Sequence, residues 1–301
     1  MIRLTRLFPA ALLLAALATC PLIANAQDWA KAPLANSSRH REYVPVTHGG
    51  RTVNVLVVYP EVKEKAPTVI LIHEIFGLSD WMKLEADELA AKGYIVLAPD
   101  LLSGLGPISS AAKSAPAAPM DHAHMDANTG AAYIPATPGG TDAFPDQDAV
   151  VKAVSSLNAA QVNADLDAVA DYARTIPASN GKLAVGGFCW GGGKTFAFAT
   201  HRKDIKVALV FYGPPPPAAA MAAISAPVYG FYAGLDARIG ATVPGTVTDM
   251  KAAGKTYEPI TYEGAGHGFM RAGQAPDATP ANKKAWEEGF TRMQELLAKL
   301  K

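Results

Sequence analysis

The sequence predicts an α/β fold in which helices cover both faces of a mostly parallel sheet. Three observations carry this. Continuous apolar runs such as Thr68-Val69-Ile70-Leu71-Ile72 and Tyr94-Ile95-Val96-Leu97-Ala98 read as strands buried on both faces. Stretches of helical period stand between such runs, so successive strands are joined by crossovers and run parallel. The 301 residues are 50% hydrophobic and show no internal repeat, which suits one domain around one substantial core.

Taken in order, Met1 to Ala26 has the pattern of a secretory signal: Arg3 and Arg6, the apolar stretch Leu7 to Leu17, then Ala24-Asn25-Ala26 as cleavage site. The apolar stretch is short for a membrane span, and no stable span is expected after cleavage. Leu17-Ala18-Thr19-Cys20 is a loose lipoprotein box, in which Thr19 fits poorly, and lipidation at Cys20 is the alternative. Residues 27–301 are then expected as a single domain, periplasmic or secreted. Cleavage would leave Cys189 alone, excluding an intramolecular disulfide, and a lone thiol in an oxidising compartment points to a protected or functional group. Losing Arg3 and Arg6 takes the formal charge from zero to −2. No basic surplus suggests nucleic acid, so a small-molecule partner is expected, with no cofactor.

Gln27 to Ser38 reads as a loose lead-in. Val53 to Tyr59 alternates and, after the polar turn Pro60 to Pro67, is expected as an edge strand beside Thr68–Ile72. Ser79 or Asp80 can cap a helix over Trp81 to Lys92, with Gly93 ending it. Tyr94–Ala98 is the next buried strand. Gly104 to Asp148 is rich in Pro, Gly, Ala and Ser and lacks either period, so an irregular insertion or cover over the site is expected at about 104–148. Within it, Met120-Asp121-His122-Ala123-His124-Met125-Asp126 admits a copper patch, but a polar loop with chance histidines is the simpler reading, and no metal site is assigned. Gln161 to Thr175 puts Val162, Leu166, Val169, Ala170 and Ala173 on one helical face before Pro177 and Asn180-Gly181. Strands are expected at Lys182–Gly186, Val207–Tyr212, Pro227–Ala233 and Tyr257–Tyr262, with a break at Pro214 to Pro217 and a closing amphipathic helix from Lys283 to Leu300.

The chemistry centres on Gly187-Phe188-Cys189-Trp190-Gly191, between the strand at Lys182–Gly186 and a helix starting at Gly192. Such a strand, turn and helix lift the central side chain above the carboxyl end of the sheet. The helix start favours a thiolate and then an oxyanion, although a small buried cysteine among glycines is the bland alternative. A nucleophile needs a base, and the base an orienting acid. Gly234-Leu235-Asp236 follows one strand and Gly266-His267-Gly268 follows the last, so both belong at the same sheet edge. Alone, Asp236 could cap a loop and His267 could bond backbone; together with Cys189 they keep the chain order nucleophile, acid, histidine of α/β-hydrolases. The Trp190 N–H and, from His73-Glu74-Ile75-Phe76-Gly77, the Ile75 N–H are the expected oxyanion donors.

These motifs, with Ala98-Pro99-Asp100-Leu101 and Gly266-His267-Gly268-Phe269-Met270-Arg271, make the chain resemble the dienelactone hydrolase family, that is, the carboxymethylenebutenolidases. The resemblance runs from about residue 50 to the C-terminus, interrupted by the insertion. It implies the α/β-hydrolase fold and hydrolysis of a lactone enol ester by Cys189, His267 and Asp236 through a thioester. It also implies that Glu74 bonds the thiol and helps deprotonate it, and that Arg271 grips a substrate carboxylate. For Glu74, a salt bridge to Arg271 is the other reading. A second arginine is expected just after Leu101, where this chain has Leu102-Ser103-Gly104. Thioesterase or broad esterase activity on the same fold is the neighbouring alternative. A non-catalytic periplasmic binding or stress protein is the more distant one. A dehydrogenase is disfavoured because Gly186 to Gly193 lacks the G-x-G-x-x-G spacing.

Overall fold

The computed structural model describes residues 27–107 and 138–301. The signal, its cleavage after Ala26, Cys20, and the His122/His124 patch with most of the insertion lie outside the described residues. Eight strands form one sheet: β1 (Arg41–His48), β2 (Arg51–Val58), β3 (Ala66–Ile72), β4 (Ile95–Asp100), β5 (Ser179–Phe188), β6 (Ile205–Phe211), β7 (Val228–Ala233) and β8 (Tyr257–Tyr262). Their order is β1-β2-β4-β3-β5-β6-β7-β8. The β1-β2 and β2-β4 pairs are antiparallel; every other pair is parallel. The helices are α1 (Lys31–Ala35), α2 (Asp80–Ala90), α3 (Gln147–Ser155), α4 (Ala159–Thr175), α5 (Trp190–His201), α6 (Ala218–Met221), α7 (Ala237–Gly240), α8 (Val243–Ala252), α9 (Phe269–Gln274) and α10 (Pro280–Ala298). None of the described helices is long and apolar enough to cross a membrane.

The apolar runs divide by the period of two. Val69 and Leu71 face a core shared with α2, α9 and α10, through Trp81, Phe269 and Met293. Ile70 and Ile72 face the opposite core, built with α4, α5 and α8 through Leu166, Phe196 and Met250. Helices therefore cover both faces, as the unbroken apolar strands require. Ser79 caps α2, its side chain accepting from Met82 N–H. Asn158 caps α4 through Ala160 and Gln161.

The expectation of an edge strand at Val53–Tyr59 is corrected. Val53, Val55, Val57 and Val58 are fully buried, because β1 covers the outer side of β2 and β4 lies between β2 and β3. The edge on this side, β1, escapes sequence reading because its apolar alternation is confined to Val44 and Val46 and is interrupted by the exposed Pro45. Helix α3 was likewise unanticipated, and the returning end of the insertion is ordered. Thr141–Ala143 make a short 3-10 turn, and the Thr141 hydroxyl donates to Asp100 Oδ1 (3.0 Å) while accepting from Leu78 N–H (2.8 Å).

The core holds one conspicuous acid. Glu85 on α2 is fully buried, with Gln274 reaching it at 3.5 Å and Glu88 at 2.7 Å. Burial, followed by the charge of Glu88, pushes the Glu85 carboxyl well up. The folded chain thus holds a proton that the unfolded chain releases near pH ~4.3. Stability from this group is full below that pH and is lost as pH rises toward the folded value. The expected result is that Glu85→Gln raises the melting temperature at pH 8 and flattens its fall between pH 5 and 8. An unchanged pH slope in thermal melts would show that Glu85 is ionised in the fold.

Candidate active site

Strand β5 ends at Phe188 and α5 begins at Trp190, leaving Cys189 as a one-residue turn at φ 55°, ψ −115°. This left-handed geometry is costly for a residue with a Cβ and persists only where the surroundings enforce it. Here Cys189 N–H bonds Phe211 O at 3.0 Å, and Gly193 N–H bonds Cys189 O at 3.2 Å. The flanking glycines are required by close approach. A Cβ on Gly187 would lie 2.4 Å from Gly191 O, and one on Gly191 would lie 2.3 Å from Ile72 O.

Three expected residues converge. His267 Nε2 lies 3.1 Å from Cys189 Sγ, and His267 Nδ1 lies 2.5 Å from Asp236 Oδ2. A carboxylate only accepts, so Nδ1 carries the proton and Nε2 is left to accept from the thiol. Asp236 also takes Ile239 N–H at the start of α7, which holds its carboxylate in place. The thiol is pushed up by burial and then by the charge of Glu74, while the Trp190 and Ile75 N–H groups and Arg238 pull it down. Both expected oxyanion donors therefore bear on the sulfur. At rest the cysteine is a protonated thiol beside its base, a state that resists oxidation.

Glu74 is buried and makes an ion pair with Arg271, Nε to Oε2 at 2.8 Å. The Arg271 guanidinium also lies over Phe76, 5.0 Å from the ring centroid. The carboxylate bonds Arg271 and not the thiol, yet its charge reaches the thiol. Tyr212, which sequence reasoning took only as the end of a strand, completes the constellation. Its hydroxyl donates to Glu74 Oε1 at 3.4 Å and its ring meets that of His267 edge-on at 5.0 Å. It is fully buried at φ 40°. Its place immediately before Gly213-Pro214 at the carboxyl end of β6 was the available signal.

The turn that lacks the second arginine is filled from within. The Ser103 hydroxyl donates to Asp100 O at 2.5 Å and accepts Asn54 N–H at 2.9 Å. Arg51 of β2 reaches this turn, but its Nη groups are spent on Ser103 O and Leu101 O and its Nε on Asp165. Beside the oxyanion loop, Ile75, Phe144 and Trp190 pack with Leu102, Val150 and Val154, so α3 lends the site an apolar wall. A cavity of about 260 Å³ borders this wall, lined among others by Phe76, Thr141, Phe144 and Val150. A broader, open groove of about 610 Å³ between β1 and α4 includes none of the site residues and is not the reaction centre. Among the described residues, no cluster of His, Cys, Asp and Glu is arranged to hold a metal ion.

Residues 53–300 match the dienelactone hydrolase family. A protein of Methylorubrum extorquens named "Putative carboxymethylenebutenolidase" is 31% identical over 243 residues, covering 76% of this chain and 70% of its own. The carboxymethylenebutenolidase of Pseudomonas putida is 27% identical over 227 residues, covering 75% and 84%. The solved structure titled "Putative Dienelactone Hydrolase" from Klebsiella pneumoniae superposes with a TM-score of 0.67 at 25% identity, covering 87% of this chain and 99% of that one.

Proposed function

The chain belongs to the dienelactone hydrolase family, and we propose that it is an exported, cysteine-dependent hydrolase of carboxylic esters, acting on lactones or small activated esters. The observation that carries this reading is the continuous contact from Asp236 through His267 to the Cys189 thiol. His267 Nε2 takes the thiol proton as sulfur attacks the ester carbonyl. The oxyanion forms against the Trp190 and Ile75 N–H groups. Collapse expels the leaving oxygen, which takes the proton back from His267 and leaves a thioester on Cys189. Water then adds to the thioester with His267 as base, releasing the acid and restoring the thiol. Asp236 holds the imidazole tautomer throughout. A substrate carboxylate that competes for Arg271 would loosen Glu74 from its ion pair, freeing that carboxylate to bond the thiol and help deprotonate it, whereas in the resting pair its charge holds the thiol up.

One arginine in place of two costs a carboxylate substrate about 1.5–3 kcal/mol of charge-assisted bonding. That favours a broader range of esters or thioesters than dienelactone alone. The test uses two matched chromogenic esters, one neutral and one carboxylate-bearing, with and without one equivalent of iodoacetamide. Turnover of both is expected to vanish on alkylation; activity surviving stoichiometric alkylation would remove the thiol mechanism. In the same assay, Arg271→Ala is expected to lower kcat/KM for the anionic ester by roughly 10–100-fold. Equal losses on both esters would mean that Arg271 serves Glu74 and does not read substrate charge.

A further inference from the structure

His73 follows β3 directly, is fully buried, and has no part in the acid-base chain from Cys189 to Asp236. Its Nδ1 lies 2.7 Å from the carbonyl oxygen of Glu74. A carbonyl only accepts, so Nδ1 carries the proton. Burial lowers His73 below the ordinary histidine range, although the nearby charge of Asp100 opposes this, and the ring is neutral. The proton count then leaves Nε2 as a bare lone pair, and Nε2 is buried with no hydrogen-bond partner among the described residues. A buried donor lacking an acceptor would be the costlier arrangement, so the two observations agree on one tautomer.

The Glu74 carbonyl and the Ile75 N–H are the two ends of a single planar trans peptide, and fixing the direction of one fixes the other. The carbonyl is held twice, by His73 and by Gly77 N–H at 3.1 Å. Two donors on the oxygen polarise the peptide and strengthen the opposite N–H as a donor. That N–H is the one bearing on Cys189 Sγ. The other face of the matter is Trp190, whose backbone supplies the second donor. Its ring stacks on the His73 imidazole with centroids 5.5 Å apart and planes 10° from parallel. Gly191 packs against the same backbone, since a Cβ there would lie 2.4 Å from His73 O.

We propose that His73 is a positioning residue for the oxyanion hole, aiming the Ile75 N–H through its Nδ1–H bond to the Glu74 carbonyl and bracing Trp190 with its ring. This rests on the hydrolase reading above, in which those two N–H groups receive the oxyanion. It acts chiefly on ester turnover, where an oxyanion develops; alkylation of Cys189 forms no oxyanion and feels the same N–H only through its bond to the sulfur, so it is affected less.

The experiment compares His73→Leu, which removes the donor, with His73→Asn, whose amide nitrogen falls near the position of Nδ1. Steady-state ester hydrolysis and the second-order rate of iodoacetamide alkylation are both measured. Losing a whole oxyanion donor costs about 10²–10³ in kcat, so misaiming one is expected to cost roughly 10–100-fold in His73→Leu. KM should stay within about threefold, the alkylation rate should fall clearly less than kcat because it loses only the Ile75 bond to the sulfur, and His73→Asn should recover most of the kcat. An unchanged kcat in His73→Leu, an equal loss of alkylation, or no recovery in His73→Asn each overturns the proposal. Should His73→Leu not fold, nitrogen-15 spectra of the histidines in the unaltered protein decide: the Nδ1–H tautomer at His73 is expected, and the Nε2–H tautomer overturns it. Failure of the hydrolase reading itself looks different, since the unaltered protein would keep its activity after alkylation.

Discussion

Cys189→Ala is expected to fold like the parent protein and to hydrolyse no ester above background. In hydrolytic triads, losing the nucleophile or the histidine costs on the order of 10⁵–10⁶ in kcat, and His267→Ala should approach the same floor. The two losses should not add, because sulfur and imidazole act as one unit. Asp236→Asn should cost less, since it disturbs the tautomer held at Nδ1 and leaves the nucleophile in place. The elbow adds a stability signature. Alanine at φ 55° keeps the strain that cysteine bears, whereas Cys189→Gly releases it and should stabilise the fold by about 1 kcal/mol. Thermal melts of the three proteins check this: equal melting temperatures for the alanine and glycine variants would show that the turn is relaxed. Ester turnover by Cys189→Ala within tenfold of the parent would remove the nucleophile from the reading altogether.

Gly191→Ala is the substitution expected to damage the fold most. The added methyl would lie 2.3 Å from Ile72 O and 2.4 Å from His73 O. Both are backbone atoms at the end of a strand buried in the middle of the sheet, so neither can move alone. Overpacking against side chains typically costs 1–3 kcal/mol; against rigid backbone about 3 kcal/mol or more is expected. A protein that still folds must separate α5 from the end of β3, and with it the Trp190 N–H from the Ile75 N–H, so turnover falls as well. Gly245→Ala is the matched control. An added Cβ on this α8 residue meets nothing within 4 Å, and it should stabilise by roughly 0.5–1 kcal/mol as a helical glycine replaced by alanine. Chemical denaturation of the two variants measures the contrast; a Gly191→Ala loss below about 1 kcal/mol would show that the elbow has slack.

Local sequence patterns encode much of this fold. The helix capped by Ser79, the strand Tyr257–Tyr262 and the elbow around Cys189 are written in adjacent residues, because period, cap and glycine spacing act over a few positions of chain. Asp236 and His267 were found by the same means, each just after a strand that a parallel sheet ends at one edge. Where the local pattern was silent or ambiguous, the reading failed. In the half-exposed strand Arg41–His48 the apolar period is only Val44 and Val46, split by Pro45, too short to mark a strand outside β2. The fall of β4 between β2 and β3 is decided by which strand completes the sheet, and no single run of sequence encodes that.

The site divides in the same way. The sequence alone determined which residue types stand at the carboxyl ends of which strands, since strand order along the chain and turn chemistry are local properties. Only the tertiary structure decided the partners: Glu74 on Arg271 and Tyr212, Thr141 on Asp100, and His73 between the Glu74 carbonyl and the Trp190 ring. These pairings join residues far apart in the chain, or turn on which way one peptide faces. They are selected by burial, where each polar atom must find whichever donor or acceptor the packed elements bring within reach.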